Sequence, residues 1–225
     1  MARNPSPMSS AIHPVDQAQG LRQMFAARVL RFIPVVANPR ATSVGGLVLE
    51  RLCAAYAACS LHSLVVDASE QARPPGELAE FDLAEGVERL SPQVSYMAAR
   101  GLPLKFADAR GSCGTLLDAL ADASPQSDVV LVHASASELV RTFAQRSRQT
   151  NLRPLVFTND MAEGLTDAYA AVKILSQRGG WMAYDLVMCA PRRSKQADEE
   201  GPVDHGHTPH LNPVPAVQQT RSGRH

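Results

Sequence analysis

The chain has 225 residues, of which 45% are hydrophobic and 20% charged, and its 22 basic residues balance its 22 acidic ones. This size and composition are typical of one globular domain with tails, and the balanced charge argues against a nucleic-acid-binding or polybasic membrane-binding surface. Neither a secretory signal nor an apolar run of roughly 18 residues is present, and the four cysteines form no CxxC pair. We therefore expect a cytoplasmic protein that binds neither nucleic acid nor, stably, a membrane.

The first residues predict a leader followed by a short helix. Residues 1–12 are polar and contain prolines, which predicts a disordered leader. Residues 13–27 predict an amphipathic helix, because Asp16 can accept backbone N–H bonds at its start, and Ala18 and Leu21 lie at helical spacing. Only a narrow face of this helix is apolar, so we expect it to gain order by docking onto another surface.

Strands and helices then alternate over 28–190. Apolar runs predict strands over 29–37, 61–69, 127–135, 152–160 and 184–190. Helical patterns occur at 47–60, 114–123, 136–149 and 164–179. Between these, we interpret 85–90 as helical and 93–99 as a strand. The alternation predicts an α/β fold with a doubly wound, mostly parallel sheet, and the polar, proline-rich residues 191–225 predict a disordered tail.

The first strand, its glycine-containing turn and the next helix have the topology of a phosphate-binding loop. In a working loop, backbone N–H groups surround the phosphates, a lysine contacts them, and a Ser or Thr hydroxyl binds Mg²⁺. The turn here reads NPRATSVGG. No lysine follows it, and Leu47 stands where the hydroxyl is needed.

Residues 28–190 resemble the MinD/ParA class of deviant P-loop ATPases, whose members carry a GKGGVGKT turn and a later strand ending in DAD. Counting back from LVVDAS aligns VGKT with 44–47, so that a glycine of the motif remains as Gly45 and the first aspartate as Asp67. The resemblance implies that the other key groups are replaced: the main lysine by Gly46, the hydroxyl by Leu47, the lysine that reaches across a dimer by Ala41, the second aspartate by Ser69, and the Mg²⁺-linked aspartate by His133.

Such a site predicts a pseudo-ATPase without a cofactor. Phosphoryl transfer depends on charge placed against the γ-phosphate oxygens, and the loss of one such group commonly costs some 10²–10³ in rate. ATP and Mg²⁺ would bind only if the degenerate site retained affinity. The alternative is an unusual MinD-like ATPase that works through Arg40 and Asp67, because a guanidinium group binds phosphate well.

Two further segments resemble the FlhG/FleN flagellar-number regulators of this class. TDAYA at 166–170 matches a family motif whose structural interpretation is a helix start capped by Thr166. The second segment is the DQAxxLR helix that precedes the family's ATPase domain, where it binds the FlhF-like flagellar signal-recognition-type GTPase and stimulates GTP hydrolysis. This chain matches it at Asp16, Gln17, Ala18, Leu21 and Arg22.

The resemblance therefore implies a regulator of flagellar number and placement whose partner is an FlhF-like GTPase. Two alternatives stay open: the helix packs on its own domain, or the chain binds a flagellar transcriptional activator and the helix is incidental. The HGHTPH segment at 205–210 favours a solvated tail over a metal site, since it has no cysteine partner. The tail also has no apolar periodicity for a terminal membrane-binding helix.

Overall fold

The computed structural model describes residues 30–80, 82–144, 146, 152–189 and 218–221, with Glu80 and the last four described by their backbone alone. The predicted leader, the predicted helix over 13–27 and most of the predicted tail lie outside these residues. The predicted partner-binding residues lie outside them as well: Asp16, Gln17, Ala18, Leu21 and Arg22.

The described residues form strands and helices in alternation. The strands are β1 (Arg31–Val36), β2 (Ser63–Asp67), β3 (Glu88–Ser91), β4 (Val94–Ala98), β5 (Val129–Ala134), β6 (Leu155–Asn159), β7 (Asp185–Cys189) and β8 (Gln218–Arg221). The α-helices are α1 (Thr42–Ala58), α2 (Leu102–Lys105), α3 (Thr115–Ala123), α4 (Ala136–Thr142) and α5 (Ala162–Gly179). Among the described helices, none is both long enough and apolar enough to span a membrane.

The strands form one sheet in the order β3-β4-β2-β5-β1-β6-β7-β8. All neighbours from β4 to β7 pair in parallel, and the two edge strands β3 and β8 pair antiparallel. The predicted α/β fold with a mostly parallel sheet is confirmed. Near-continuous apolar runs such as VVLV in β5 suit this arrangement, because a central parallel strand is buried on both faces.

Helices cover both faces of the sheet, so that it has two apolar cores. On one face Val48 of α1 packs with Leu131 of β5. On the other, Leu116 of α3, Leu139 of α4 and Leu175 of α5 pack together with the alternate strand residues. Burial of each such leucine or valine stabilises the fold by about 1.5–3 kcal/mol.

The first turn of α1 differs from the prediction. The helix begins at Thr42 and not at 47, and the Gly45 amide already donates to the Ala41 carbonyl at 2.9 Å. Gly45 and Gly46 are therefore helical, and the prediction that they belong to the turn before the helix is wrong. Gly45 has a packing role, because a Cβ there would lie 2.5 Å from Cζ of Phe157 on β6.

Edge strands account for two further differences. The helix predicted over 85–90 is wrong for 88–90, because a 3₁₀ helix (Leu83–Gly86) ends before them and β3 begins at Glu88 and pairs with β4. The disordered tail predicted over 191–225 is wrong for Gln218–Arg221, which pairs with β7. Such strands are held by backbone hydrogen bonds to an existing sheet edge. These bonds require no periodic pattern of apolar side chains, so the sequence does not predict them.

Two helix ends also differ from the sequence analysis. Thr166 does not cap α5, because the helix begins at Ala162, and the Thr166 hydroxyl donates to the Ala162 carbonyl at 2.8 Å. Helix α4 ends at Thr142, short of the predicted 149. Both errors concern boundaries, which local sequence patterns define less sharply than the helices themselves.

We predict opposite effects for alanine at the two neighbouring glycines of α1. Gly45→Ala should lower the free energy of unfolding by about 1–3 kcal/mol, because the buried Phe157 ring must shift to admit a methyl group. Gly46→Ala should raise it by about 0.5–1 kcal/mol, because no atom lies within 4 Å of its Cβ position and alanine favours the helix. Urea unfolding of both variants tests this, and an equal effect of the two substitutions would contradict it.

Candidate functional site

A cavity of about 340 Å³ lies where β1, β2, β5 and β6 end, beside the first turns of α1. The carboxyl ends of parallel strands are where ligands bind in open α/β sheets. One wall is apolar and includes Leu49 and Phe157. The polar residues that line the cavity are Asn38, Thr42, Asp67, Ser69, Glu70, Gln71, His133 and Ser135.

Asp67 and His133 form the central polar contact of this cavity. They are register partners at the ends of β2 and β5, so the parallel pairing places the two side chains next to each other. His133 Nδ1 lies 2.9 Å from Asp67 Oδ1, and the side chains are only 12% and 20% exposed, respectively. The carboxylate accepts the Nδ1 proton, which fixes the orientation of the ring.

The environment of Asp67 favours its ionised form. Burial raises the pKa of this carboxyl group, but hydrogen bonds from His133 and Ser69, together with the charge of His133, outweigh burial and hold the pKa below its ordinary value. The Ser69 amide donates to Asp67 Oδ1 at 3.1 Å. Burial, followed by the charge of Asp67, raises the pKa of the neighbouring Tyr96.

The second nitrogen of His133 has no such partner. Nε2 is buried and makes no hydrogen bond to any of the described residues. The imidazole lies beside the Phe157 ring, with 5.9 Å between the ring centroids. The ring is thus held by Asp67 on one side and by packing against Phe157 on the other.

Asn38 fixes the loop that connects β1 to α1. Its side-chain Nδ2 donates to the carbonyls of Phe157 and Gly164, at 3.2 Å and 3.1 Å. Its Oδ1 accepts from the Arg40 amide at 3.1 Å. This buried side chain therefore joins the loop to β6 and α5, and holds one rim of the cavity in place.

Arg40 points away from the cavity. Its guanidinium donates to Glu163 Oε2 at 3.0 Å, and the side chain is 61% exposed. Ala41, predicted at the position of the dimer-bridging lysine, is buried in the core beneath α1. Leu47 is partly exposed and does not line the cavity.

The structure therefore divides the predicted nucleotide-site residues into two groups. Those that line the cavity are Gly46, Asp67, Ser69 and His133, and those that do not are Arg40, Ala41, Gly45 and Leu47. The sequence analysis missed Asn38 and Thr42, although polar residues that directly follow a buried strand are a usable signal for such an edge. It also missed Phe157, which reaches the cavity only through the pairing of β6 with β1.

No family model matches this chain, and no curated protein matches it in sequence. Solved structures do match. The kinase domain of the Escherichia coli tyrosine kinase ETK is similar over 91% of this chain and 88% of that domain, with 13% identity and a TM-score of 0.51. A ParA family ATPase from Chlorobium tepidum is similar over 73% of this chain and 74% of its own, with 14% identity and a TM-score of 0.47.

The chain has an α/β fold similar to that of the ETK kinase domain. A third similar structure is cobyrinic acid a,c-diamide synthase from Mycobacterium smegmatis, solved with bound ADP and magnesium. It has 16% identity and a TM-score of 0.47, and the match covers 72% of this chain and 74% of that one. At such identities the likeness extends to the fold alone.

We predict that Asp67→Asn weakens the fold in a pH-dependent way. The folded-state pKa of Asp67 is depressed, so its ionised form stabilises the fold above the ordinary carboxyl pKa, and this contribution is lost as the pH falls through the folded-state value. At pH 7 the substitution should lower the free energy of unfolding by about 1–3 kcal/mol. The difference between parent and variant should narrow as the pH falls below about 4.

Urea unfolding at several pH values measures this difference. Asp118→Asn is the control, since that exposed carboxylate pairs with Arg146 at the surface and should contribute little at any pH. If the difference in free energy of unfolding between parent and Asp67→Asn stays constant from pH 7 to about pH 3, the charge of Asp67 does not contribute to stability.

Proposed function

We propose that this chain regulates flagellar number and placement by binding an FlhF-like signal-recognition-type GTPase through residues 13–27 and stimulating its GTP hydrolysis. The α/β domain then serves as a scaffold that does not turn over ATP. The DQAxxLR match supports the partner, and the chemistry of the cavity supports the loss of ATPase activity.

One observation favours a pseudo-ATPase: none of the described residues that line the cavity is lysine or arginine, whereas Asp67 and Glu70 are carboxylates. Phosphoryl transfer needs positive charge against the phosphate oxygens, whereas the carboxylates of Asp67 and Glu70 are negative. Asp67 is moreover already hydrogen-bonded to His133, which occupies the position that the resemblance assigns to the Mg²⁺-linked aspartate.

The start of α1 supports the same interpretation. The loop between β1 and α1 consists only of residues 37–41. The side chain of Asn38 joins it to β6 and α5 by hydrogen bonds. Such a loop has little backbone to wrap around a triphosphate, in contrast to a glycine-rich phosphate-binding loop. The alternative ATPase that works through Arg40 is disfavoured, because that guanidinium is paired with Glu163 at the surface.

We predict that the chain does not bind ATP. Titration calorimetry with ATP and Mg²⁺ should show no saturable heat, corresponding to a dissociation constant weaker than about 1 mM. The physical reason is the repulsion between the phosphates and the Asp67 and Glu70 carboxylates. Micromolar affinity, or ATP turnover by the purified chain, would establish the ATPase alternative instead.

We predict that Gln17 carries the stimulation of the partner GTPase. A glutamine amide both donates and accepts hydrogen bonds and can orient an attacking water. In the full chain, Gln17→Ala should leave binding largely intact and lower the stimulation by roughly tenfold or more. Leu21→Asp should abolish binding, because it would bury an unpaired charge.

GTP hydrolysis by the FlhF-like GTPase, measured with each variant, tests this role. Gln19→Ala is the matched control, since Gln19 occupies a variable position of the DQAxxLR pattern. If Gln17→Ala and Leu21→Asp both stimulate as well as the parent, the helix is not the active element. If deletion of 13–27 also leaves binding to a flagellar transcriptional activator unchanged, the alternative that the chain binds this activator and the helix is incidental is supported.

A further inference from the structure

We propose that a second copy of this chain docks on the exposed face of α5, so that two protomers pair through antiparallel α5 helices. This surface, the α5 patch, has a row of large apolar side chains beside a row of small ones. The large ones are Met161, Leu165 and Tyr169, and the small ones are Ala162, Thr166 and Ala170. The inference concerns assembly and does not rest on the proposed function.

The large side chains of the α5 patch are exposed although they are apolar. Met161, Leu165 and Tyr169 are 63%, 41% and 70% exposed. They recur at every fourth position, so they form one ridge along the helix. The packing of the domain does not need this ridge, because α5 is buried through its other face: Gly164, Ala168, Ala171 and Leu175. A contiguous exposed apolar ridge is typical of an interaction surface.

The small side chains make the α5 patch complementary to itself. Ala162, Thr166 and Ala170 each follow a ridge residue and are exposed, so they form a groove beside the ridge. When two copies of α5 run antiparallel, the ridge of each helix lies in the groove of the other, and a two-fold axis relates the two contacts. With the axis between Leu165 and Thr166, every ridge residue lies over a groove residue of the second copy.

Charge favours the antiparallel direction. Asp160 and Glu163 lie where α5 begins, whereas Lys173 and Arg178 lie in its second half, all at exposed positions. Antiparallel pairing places the acidic end of each helix beside the basic end of the other, and it opposes the two helix dipoles. Parallel pairing would bring like charges together. Glu163 pairs with Arg40 within the chain, so we expect Lys173 to approach Asp160 of the second copy.

The size of the α5 patch sets the strength of the dimer. A standard interface buries roughly 800 Å² per partner, and contact over about three turns of one helix covers less. We therefore expect a reversible dimer with a dissociation constant on the order of 10–100 μM. ATP should not change it, because no residue of the α5 patch lines the cavity at the strand ends.

Sedimentation of the full chain from about 5 to about 500 μM tests the dimer. The parent should pass from monomer to dimer over this range. Leu165→Glu should weaken association by about tenfold or more, because it places an unpaired charge in the contact. The substitution should leave the fold intact, since Leu165 is exposed in one chain. Leu90→Glu is the matched control: Leu90 is 59% exposed on β3, at the other edge of the sheet, and the variant should associate like the parent.

Cysteine cross-linking tests the position of the two-fold axis. Thr166→Cys lies beside the axis, so under a mild oxidant it should form a disulfide-linked dimer. Ser176→Cys is the control, because Ser176 is also exposed on α5 but lies far from the axis. It should cross-link no faster than the parent, whose exposed Cys59 sets the background.

A charge exchange tests the antiparallel direction. Lys173→Glu should weaken association several-fold, because it would face Asp160 of the second copy. Combining it with Asp160→Lys should restore the parent affinity, since the two charges then change places. Both positions are exposed in one chain, so neither substitution should alter its stability.

Four results would overturn the proposal. The first is a parent chain that stays monomeric at about 500 μM. The second is association that Leu90→Glu abolishes and Leu165→Glu leaves unchanged, which would place the contact at β3. The third is equal cross-linking of Thr166→Cys and Ser176→Cys. The fourth is a Leu165→Glu monomer that unfolds at a clearly lower urea concentration, which would mean that another segment of the same chain covers the α5 patch. None of these measurements involves GTP hydrolysis, so they test the dimer independently of the proposed function.

Discussion

The in-register pairing of β2 with β5 is the constraint on which the site depends. Both strands are buried, and a buried backbone must satisfy its N–H and C=O groups within the sheet. The ladder runs from Ser63 opposite Val129 to Asp67 opposite His133, where both strands end. A shift of one residue would break the Asp67–His133 contact and exchange the side chains of β2 between the two cores, moving Leu64 and Val66 out of one and Val65 out of the other. Core packing therefore enforces the geometry of the polar pair.

Close packing of α1 on β6 sets the other wall of the cavity. Gly45 allows the helix backbone to meet the Phe157 ring, and the next residue, Gly46, opens onto the cavity with free space around its Cβ position. Asn38 holds the preceding loop against the carbonyls of Phe157 and Gly164. Of the two glycines that look like a phosphate-binding signature, Gly45 is explained by helix packing and Gly46 is not, and the loop is anchored by the amide side chain of Asn38.

The electrostatics follow from these placements. In a phosphate-binding site, cations and backbone amides converge on the anion. In this chain, Asp67 and Glu70 line the corresponding edge of the sheet, while Arg40 pairs with Glu163 at the surface. The carboxyl ends of the parallel strands thus present the wrong sign of charge to a phosphate. A regulatory role through residues 13–27 is compatible with this chemistry, since it does not require the cavity to turn over ATP.

The sequence by itself determined the parallel sheet, because runs such as VVLV in β5 need burial on both faces, and it identified Asp67 and His133 as polar residues at strand ends. It did not determine the start of α1. Local propensity cannot reveal that Gly45 lies against the Phe157 ring, which is distant in sequence and arrives only when β6 pairs beside β1. Only the tertiary structure showed that Arg40 pairs with Glu163 and that buried His133 Nε2 makes no hydrogen bond to the described residues. Side-chain direction at a loop or strand end depends on contacts between elements distant in sequence, and no local pattern encodes those contacts.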